Sequence, residues 1–277
     1  MDPAVYRLAE AESREPVSQV SDNSEHREIE RVHNITAPSI SPDRVSVVEG
    51  YERWAPTYDH TPNPLLNLEG RTLAALLPKL GGKRVLDLAC GTGRWLERIL
   101  VQGADLAVGT DLSTAMLRAA GGKRSIEGRL VRADCLNLPF RSAVFDLVIC
   151  SFALGHIQAL GAMVAELARV TKSGADVFIS DLHPEAHAQG WRTGFRGSNA
   201  AVQIENWPRT EEEIVHAFHS RRFTCVAHMP LYLGEMERPV FALAGKSHLF
   251  TQACQIPAVL VFHFRFAPTE LGSRGEQ

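Results

Sequence analysis

From Arg84 to Asp181 the chain repeats one pattern: a short apolar run, a turn, then a helix-like run. The strand candidates are RVLDLA (84–89), LAVGTD (106–111), RLVRAD (129–134), FDLVICS (145–151) and ADVFISD (175–181). Between them RWLERILVQG ends on the helix-stopping Gly103, and Ser113 stands where it can cap TAMLRAA. ALGAMVAELARVTKSG places Leu160, Met163, Val164 and Leu167 at helical spacing. A parallel pair of strands needs a crossover where an antiparallel pair needs only a hairpin, so this alternation specifies a mainly parallel α/β sheet covered on both faces. Further on, Thr210 and Glu213 form a capping-box pattern ahead of EEEIVHAFHSRR, and two more strands are expected at CVAHMPLYL and AVLVFHFRF.

The flanks read differently. Residues 1–43 are polar, acidic and punctuated by Ser and Pro, which predicts a flexible or loosely docked N-terminal extension that can be removed without unfolding the rest. One domain is expected over 44–267, opening with one or two lead-in helices in which Leu66, Leu73, Ala74 and Leu77 supply an apolar face, and a flexible tail over 268–277. The net charge of -3 gives no global basic field, so neither a nucleic-acid nor a membrane partner is expected. The five cysteines are dispersed without a CxxC pair, which indicates neither a metal site nor a disulfide framework and fits a reducing, cytoplasmic setting. No signal-peptide pattern and no run of membrane-spanning length is present in the sequence. The expected state is a monomer or a homodimer.

The stretch VLDLACGTGRW (85–95) carries the chemistry. Asp87 closes the first strand candidate, and Gly91 and Gly93 follow before a helix can begin. In an open parallel sheet ligands sit beyond the carboxyl ends of the strands, where the strand order reverses. A dinucleotide pyrophosphate wants GxGxxG or GxGxxA there, but the third position is Leu96 and Asp87 would repel phosphates. S-adenosylmethionine reverses the electrostatics, because its sulfonium and amino groups are cationic and Asp87 becomes an attraction. Asp111, about 20 residues beyond the glycine turn, suits the two ribose hydroxyls. Asp134 suits the adenine amino group, with the Cys135 amide available to a ring nitrogen.

VLDLACGTGRW, VGTDLSTAMLRAA, RADCLNLPFRSAVFDLVICSFALGHI and LARVTKSGADVFISDLHP together resemble the successive motifs of class I S-adenosylmethionine-dependent methyltransferases, in particular the small-molecule branch of ubiquinone and menaquinone biosynthesis. YERWAPTYD resembles that branch's lead-in helix. The resemblance runs from about Val48 to Phe266 and departs at Ala89, where the family often has glycine. It implies a Rossmann-like, doubly wound, seven-stranded sheet whose last strand, AVLVFHFRF, is antiparallel. It also implies S-adenosylmethionine as cofactor, a small-molecule acceptor methylated on O, N or C, and a cofactor site built from Asp87, Ala89, Gly91, Asp111, Leu112, Met116, Asp134, Cys135, Ser151 and Phe152, with Tyr51 and Tyr58 as lid residues. A carrier-protein-linked acid acceptor would need a basic docking patch, for which Arg192, Arg196 and Arg209 are available; a non-catalytic cofactor-binding scaffold is the reading from outside enzymes.

Two histidines follow the fourth and fifth strands on the edge where the methyl group would be presented. His156 and His183 are therefore the candidate bases, with Asp181 close enough in sequence to orient either ring. The long connection HPEAHAQGWRTGFRGSNAAVQIENWPR offers Trp191, Phe195 and Trp207 as acceptor-pocket walls, with an added strand or a dimer contact as the structural alternative.

Overall fold

The computed structural model describes residues 42–197 and 200–267. The extension expected over 1–43 lies outside them except for its last two residues, and the tail expected over 268–277 lies outside them entirely. The chain enters through β1 (Asp43–Val45), α1 (Val47–Trp54) and α2 (Pro64–Leu76). It then alternates through β2 (Arg84–Leu88), α3 (Arg94–Val101), β3 (Leu106–Asp111), α4 (Thr114–Gly121), β4 (Leu130–Arg132), β5 (Phe145–Ser151), α5 (Leu160–Val170) and β6 (Thr171–Leu182). The remainder is α6 (Pro184–Ala188), β7 (Gly194–Arg196), β8 (Ala201–Ile204), α7 (Glu211–His219), β9 (Phe223–Leu231), α8 (Arg238–Leu243), α9 (Phe250–Ala253) and β10 (Val259–Phe266).

The main sheet has seven strands in the order β4-β3-β2-β5-β6-β10-β9. Five neighbours from β4 to β6 pair in parallel, and β10 runs antiparallel to both β6 and β9. This is the doubly wound, Rossmann-like arrangement with an antiparallel last strand. The order reverses between β2 and β5, so the crevice lies over the tips of those two strands, where Asp87 and Ser151 stand. One apolar layer, with Leu73, Trp95, Ile99 and Phe250, covers one face. The other holds Met163, Leu167, Phe218 and Phe264, with the last two rings stacked at 4.1 Å.

Local chemistry sets the boundaries. Asn63 accepts from the Leu65 amide with Pro64 opening α2, Ser113 accepts from the Met116 amide at the start of α4, and Thr210 and Glu213 complete a reciprocal capping box on α7. β2 stops one residue before the expected Ala89 because Ala89 turns into the left-handed region at φ 54°. β4 stops at Arg132, short of Asp134, because the Asp134 carboxylate takes the Leu136 amide and folds the chain into a turn. β6 begins at Thr171 rather than 175, since α5 ends at Val170 and Thr171 already pairs with Phe145 across a register shift.

A small second sheet, β1-β8-β7, joins the lead-in segment to the long connection after β6. Val45, Trp54, Val202 and Ile204 form its own apolar cluster, and Trp54 stacks on Phe195 at 5.2 Å. The long connection thus mostly forms an added sheet packed on the lead-in helix, and Glu205 and Trp207 just after it line the crevice. No helix among the described residues is long and apolar enough to cross a membrane.

Candidate cofactor and acceptor site

A cavity of about 420 Å³ opens over the tips of β2, β3 and β5. Its floor is the turn after β2. Asp87, 2 % exposed, accepts from the Leu96 amide at 2.9 Å and so ties the strand tip to the first turn of α3. Burial pushes its carboxyl up to about 7, against the opposing pull of the Arg94 charge. Beyond it the chain holds three left-handed residues, Ala89 at 54°, Gly91 at 54° and Gly93 at 81°. A side chain on Gly93 would also run into Ile126. Ala89 adopts the conformation that glycine takes without cost, which explains the family's preference there. Phe152, after β5, is left-handed too at 53° and lines the same cavity.

The next two tips supply more carboxylates. Asp111 accepts from the Gly91 amide through Oδ2 and from the Ser113 amide through Oδ1, each at 2.8 Å. It therefore clamps the glycine turn to β3 while each oxygen keeps a second lone pair for a ligand. Burial raises its carboxyl from the ordinary value. Asp134 stands exposed at the third tip and Cys135 is half-buried beside it. Leu112 at 44 % and Leu136 at 36 % exposure are large apolar side chains left open on the cavity wall, and Met116, buried, lines it too.

The carboxylates Asp87, Asp111, Asp134 and Glu205 all line this cavity, and the sole Lys or Arg that joins them among the described residues is Arg94. Such a site favours a ligand with cationic groups, hydroxyls to donate and one flat apolar part. Those are the features of S-adenosylmethionine, and the residues present fit it: the acids at successive tips, the amide-rich turn and the exposed Leu112 and Leu136.

Tyr51 and Tyr58 come down from the lead-in segment as expected, their ring centroids 6.3 Å apart. Burial pushes the Tyr58 phenol up to about 12 and raises Tyr51 as well, so both are neutral hydrogen-bond donors at physiological pH. The segment is latched by two acids that the sequence analysis did not single out. Glu52 accepts from Ser113 Oγ and the Ala115 amide, both at 3.1 Å, and Asp59 accepts from Thr92 Oγ at 2.6 Å and pairs with Lys123 at 3.0 Å. Both latches close on loops that form the cavity floor. A carboxylate inside a lead-in helix or next to Tyr58 carries no signal of such distant partners.

His156 lines the cavity and meets Tyr51 edge-on at 5.3 Å. Its Nδ1 lies 2.8 Å from the Glu205 carbonyl oxygen. A carbonyl only accepts, so Nδ1 carries the proton and Nε2 keeps its lone pair in the neutral ring. Burial lowers the His156 pKa below 6.5, opposed by the charge of Asp181. Asp181 itself is held by the Gly155 amide at 2.6 Å, behind the histidine loop.

Three expected residues go elsewhere. His183 caps α6, with Nδ1 accepting from the Glu185 amide at 3.1 Å and Nε2 3.5 Å from Glu211, and it does not line the cavity. Its ring serves the turn after β6. Trp191, 2 % exposed, belongs to the apolar layer that holds Leu73, Trp95 and Phe250 and does not line the cavity. Phe195 stacks on Trp54 under the added sheet and also stays off the cavity surface. Trp207, by contrast, reaches it. Of the arginines considered for a docking patch, Arg209 spends its guanidinium on the carbonyls of Leu154, Ile157, Gln158 and Trp207, and Arg192 donates to the carbonyls of His187 and Trp191.

The fold, the switch-point cavity and its acids are those expected of a class I, S-adenosylmethionine-dependent methyltransferase domain. The sequence profile of the family described as a methyltransferase domain matches residues 85–174. A demethylmenaquinone methyltransferase of Corynebacterium urealyticum is 42 % identical over 100 residues, covering 36 % of this chain and 42 % of that protein. A 2-phytyl-1,4-naphtoquinone methyltransferase of Synechococcus elongatus is 33 % identical over 156 residues, 52 % of this chain and 66 % of that one. The chain thus spans between two fifths and two thirds of these quinone-methylating relatives. An S-adenosylmethionine-dependent methyltransferase structure from Mesorhizobium loti shares the fold with a TM-score of 0.59 at 20 % identity, covering 73 % of this chain and all of that one.

Proposed function

We propose that this protein methylates an uncharged, flat aromatic small molecule at a hydroxyl or an acidic carbon, in the manner of a quinone-type acceptor. The observation that supports it is the part of the cavity lining that the carboxylates leave over. It includes Tyr51, Tyr58, Leu66, Phe152, His156 and Trp207, an aromatic wall with one basic ring nitrogen, while Arg94, the one Lys or Arg lining the cavity among the described residues, is already paired with Glu69. An acid or a phosphate entering the cavity would meet four carboxylates against one arginine, and the engagement of Arg192 and Arg209 with backbone carbonyls takes two of the three arginines considered for a carrier-docking patch. The names of the quinone-methylating relatives point to the same acceptor class.

When bound, S-adenosylmethionine supplies an electrophilic methyl group on a positively charged sulfur. The chain's own contribution is mostly alignment and exclusion of water: α1 and the segment after β8 wall the cavity, and Asp87 and Asp111 would hold the cofactor at the strand tips. His156 takes the acceptor proton at Nε2, while its Nδ1–H stays on the Glu205 carbonyl. Asp181 stabilises the imidazolium that results. Tyr51 and Tyr58 donate hydrogen bonds without competing for the proton.

The test is a screen with isotope-labelled S-adenosylmethionine against reduced naphthoquinols, ubiquinol-type phenols, aryl amines and carboxylic acids, read by mass spectrometry. Labelled methyl on a quinol or phenol is the expected result. Labelling confined to acids or amines overturns the acceptor class.

A further inference from the structure

We propose that Arg209 is a positioning residue of this site: through the backbone of residues 154–158 it holds the His156 ring in place, and it touches neither cofactor nor acceptor. The inference rests on the reading of His156 as the base and adds the residue that keeps that ring in one orientation. His156 ends a single 3₁₀ turn, Leu154–His156, between β5 and α5. One such turn makes few hydrogen bonds of its own, and the carbonyls at and beyond its end lack helical donors. A base carried on it needs an outside support to stay in one place.

Arg209 provides that support. Its Nη1 donates to the Leu154 carbonyl at 3.2 Å and to the Trp207 carbonyl at 3.0 Å, and its Nη2 donates to Ile157 at 2.5 Å and to Gln158 at 2.8 Å. Three of these four acceptors belong to the histidine loop, and the fourth belongs to Trp207, which stands in the aromatic wall of the cavity. Two more bonds join the same segments: the Trp207 amide donates to the Gly155 carbonyl at 2.7 Å, and His156 Nδ1–H to the Glu205 carbonyl at 2.8 Å. Gly155 permits the close approach, since a Cβ there would run into the Asn206 side chain. From beneath, Asp181 accepts from the Gly155 amide. A planar guanidinium can fork over carbonyls on both sides of the turn and oppose their dipoles, which the single ammonium of a lysine cannot. Arg209 does not line the large cavity; it lines a separate small one of about 30 Å³ with Asp181, Leu154 and Trp207. Its effect on the reaction therefore passes through the loop that carries His156.

Nitrogen NMR of the full chain with isotope-labelled histidine reads the ring directly at about pH 8, where burial keeps it neutral, and the His156→Ala spectrum identifies its signals. The wild type is expected to hold the His156 proton on Nδ1 alone, and Arg209→Gln to divide it between the two nitrogens. His263, bound to Asp176 in the sheet, should keep its signals, and affinity for S-adenosylhomocysteine should stay within about threefold. Turnover of 1,4-naphthoquinol with S-adenosylmethionine should fall about tenfold or more in Arg209→Gln, yet fall no further when that change is added to His156→Ala. If Arg209→Gln does not fold, Arg209→Lys takes its place, with the same loss of the pure Nδ1–H form expected. A variant that keeps the His156 proton on Nδ1, or one that shifts His263 and weakens the cofactor as well, overturns the proposal. So does a double variant slower than His156→Ala. A wild type that leaves the quinol unmethylated overturns the acceptor reading, and a His156→Ala variant that loses no turnover overturns the base reading; in either case the ring signals alone decide whether Arg209 holds His156.

Discussion

Asp87→Asn separates what the site costs from what it does. Asp87 is buried, and its carboxyl titrates near 7 in place of the ordinary 3.8. A folded-state value raised above the unfolded one favours the fold at low pH, where both states are protonated, and that advantage disappears as pH rises toward the folded value. The shift corresponds to about 4 kcal/mol once pH exceeds both values, of which about 2.5 kcal/mol develops between pH 5 and pH 8. Asparagine keeps an oxygen for the Leu96 amide and never ionises. Urea unfolding of both proteins without ligand, at pH 5, 6, 7 and 8, should therefore show the variant's advantage growing by about 2.5 kcal/mol across that range. The same variant should bind S-adenosylmethionine poorly, because a cationic ligand needs the ionised acid. Below pH 7 the wild type should release close to one proton on binding, visible by calorimetry in buffers of different ionisation enthalpy. A stability difference that is flat from pH 5 to 8 would show Asp87 ionised throughout and would refute the reasoning.

Three further outcomes follow from named contacts. His156→Ala should lower turnover about a hundredfold while sparing cofactor affinity, and the wild-type acid limb should lie below 6.5 because burial holds the ring neutral; a variant within a few-fold of wild type would leave alignment as the whole of catalysis. Trp191→Ala should cost about 3–5 kcal/mol in chemical unfolding, as a core aromatic does, and a stable variant with altered acceptor KM would return Trp191 to the acceptor wall. Asp59→Asn breaks the pair with Lys123, and stopped-flow displacement should find S-adenosylhomocysteine leaving roughly fivefold faster, about 1 kcal/mol; an unchanged off-rate would mean the latch does not hold the lead-in segment.

Sequence periodicity made the central fold legible because strand and helix patterns alternate cleanly from Arg84 to Leu182, and crossover topology leaves few ways to join them. Asp87, Asp111 and Asp134 were legible for the same reason: Asp87 and Asp111 lie at the ends of β2 and β3 and Asp134 two residues past β4, so each one's position in space follows from its position in the run. His156 and His183 show where that logic ends. Both follow sheet strands, but whether a loop turns its side chain inward depends on contacts with Glu205 and Glu211 that are 49 and 28 residues away. Phe195 went to packing because the connection that carries it found a partner in β1, a three-residue strand too short to announce itself, while Trp191 joined the apolar layer of the main sheet. Glu69 left a faint trace, an acid amid leucines, yet its partners Trp95, Ser151 and Ser180 meet only in the folded chain.

The most direct measurement is a calorimetric titration of the full chain with S-adenosylhomocysteine, set beside Asp111→Ala and beside NAD. The cavity predicts one site per chain, a loss of about tenfold or more in the variant as two ribose hydroxyls lose a charged acceptor, and no competing affinity for NAD. Unchanged affinity in a folded Asp111→Ala protein, or preference for NAD, would contradict the assignment of this cavity to S-adenosylmethionine.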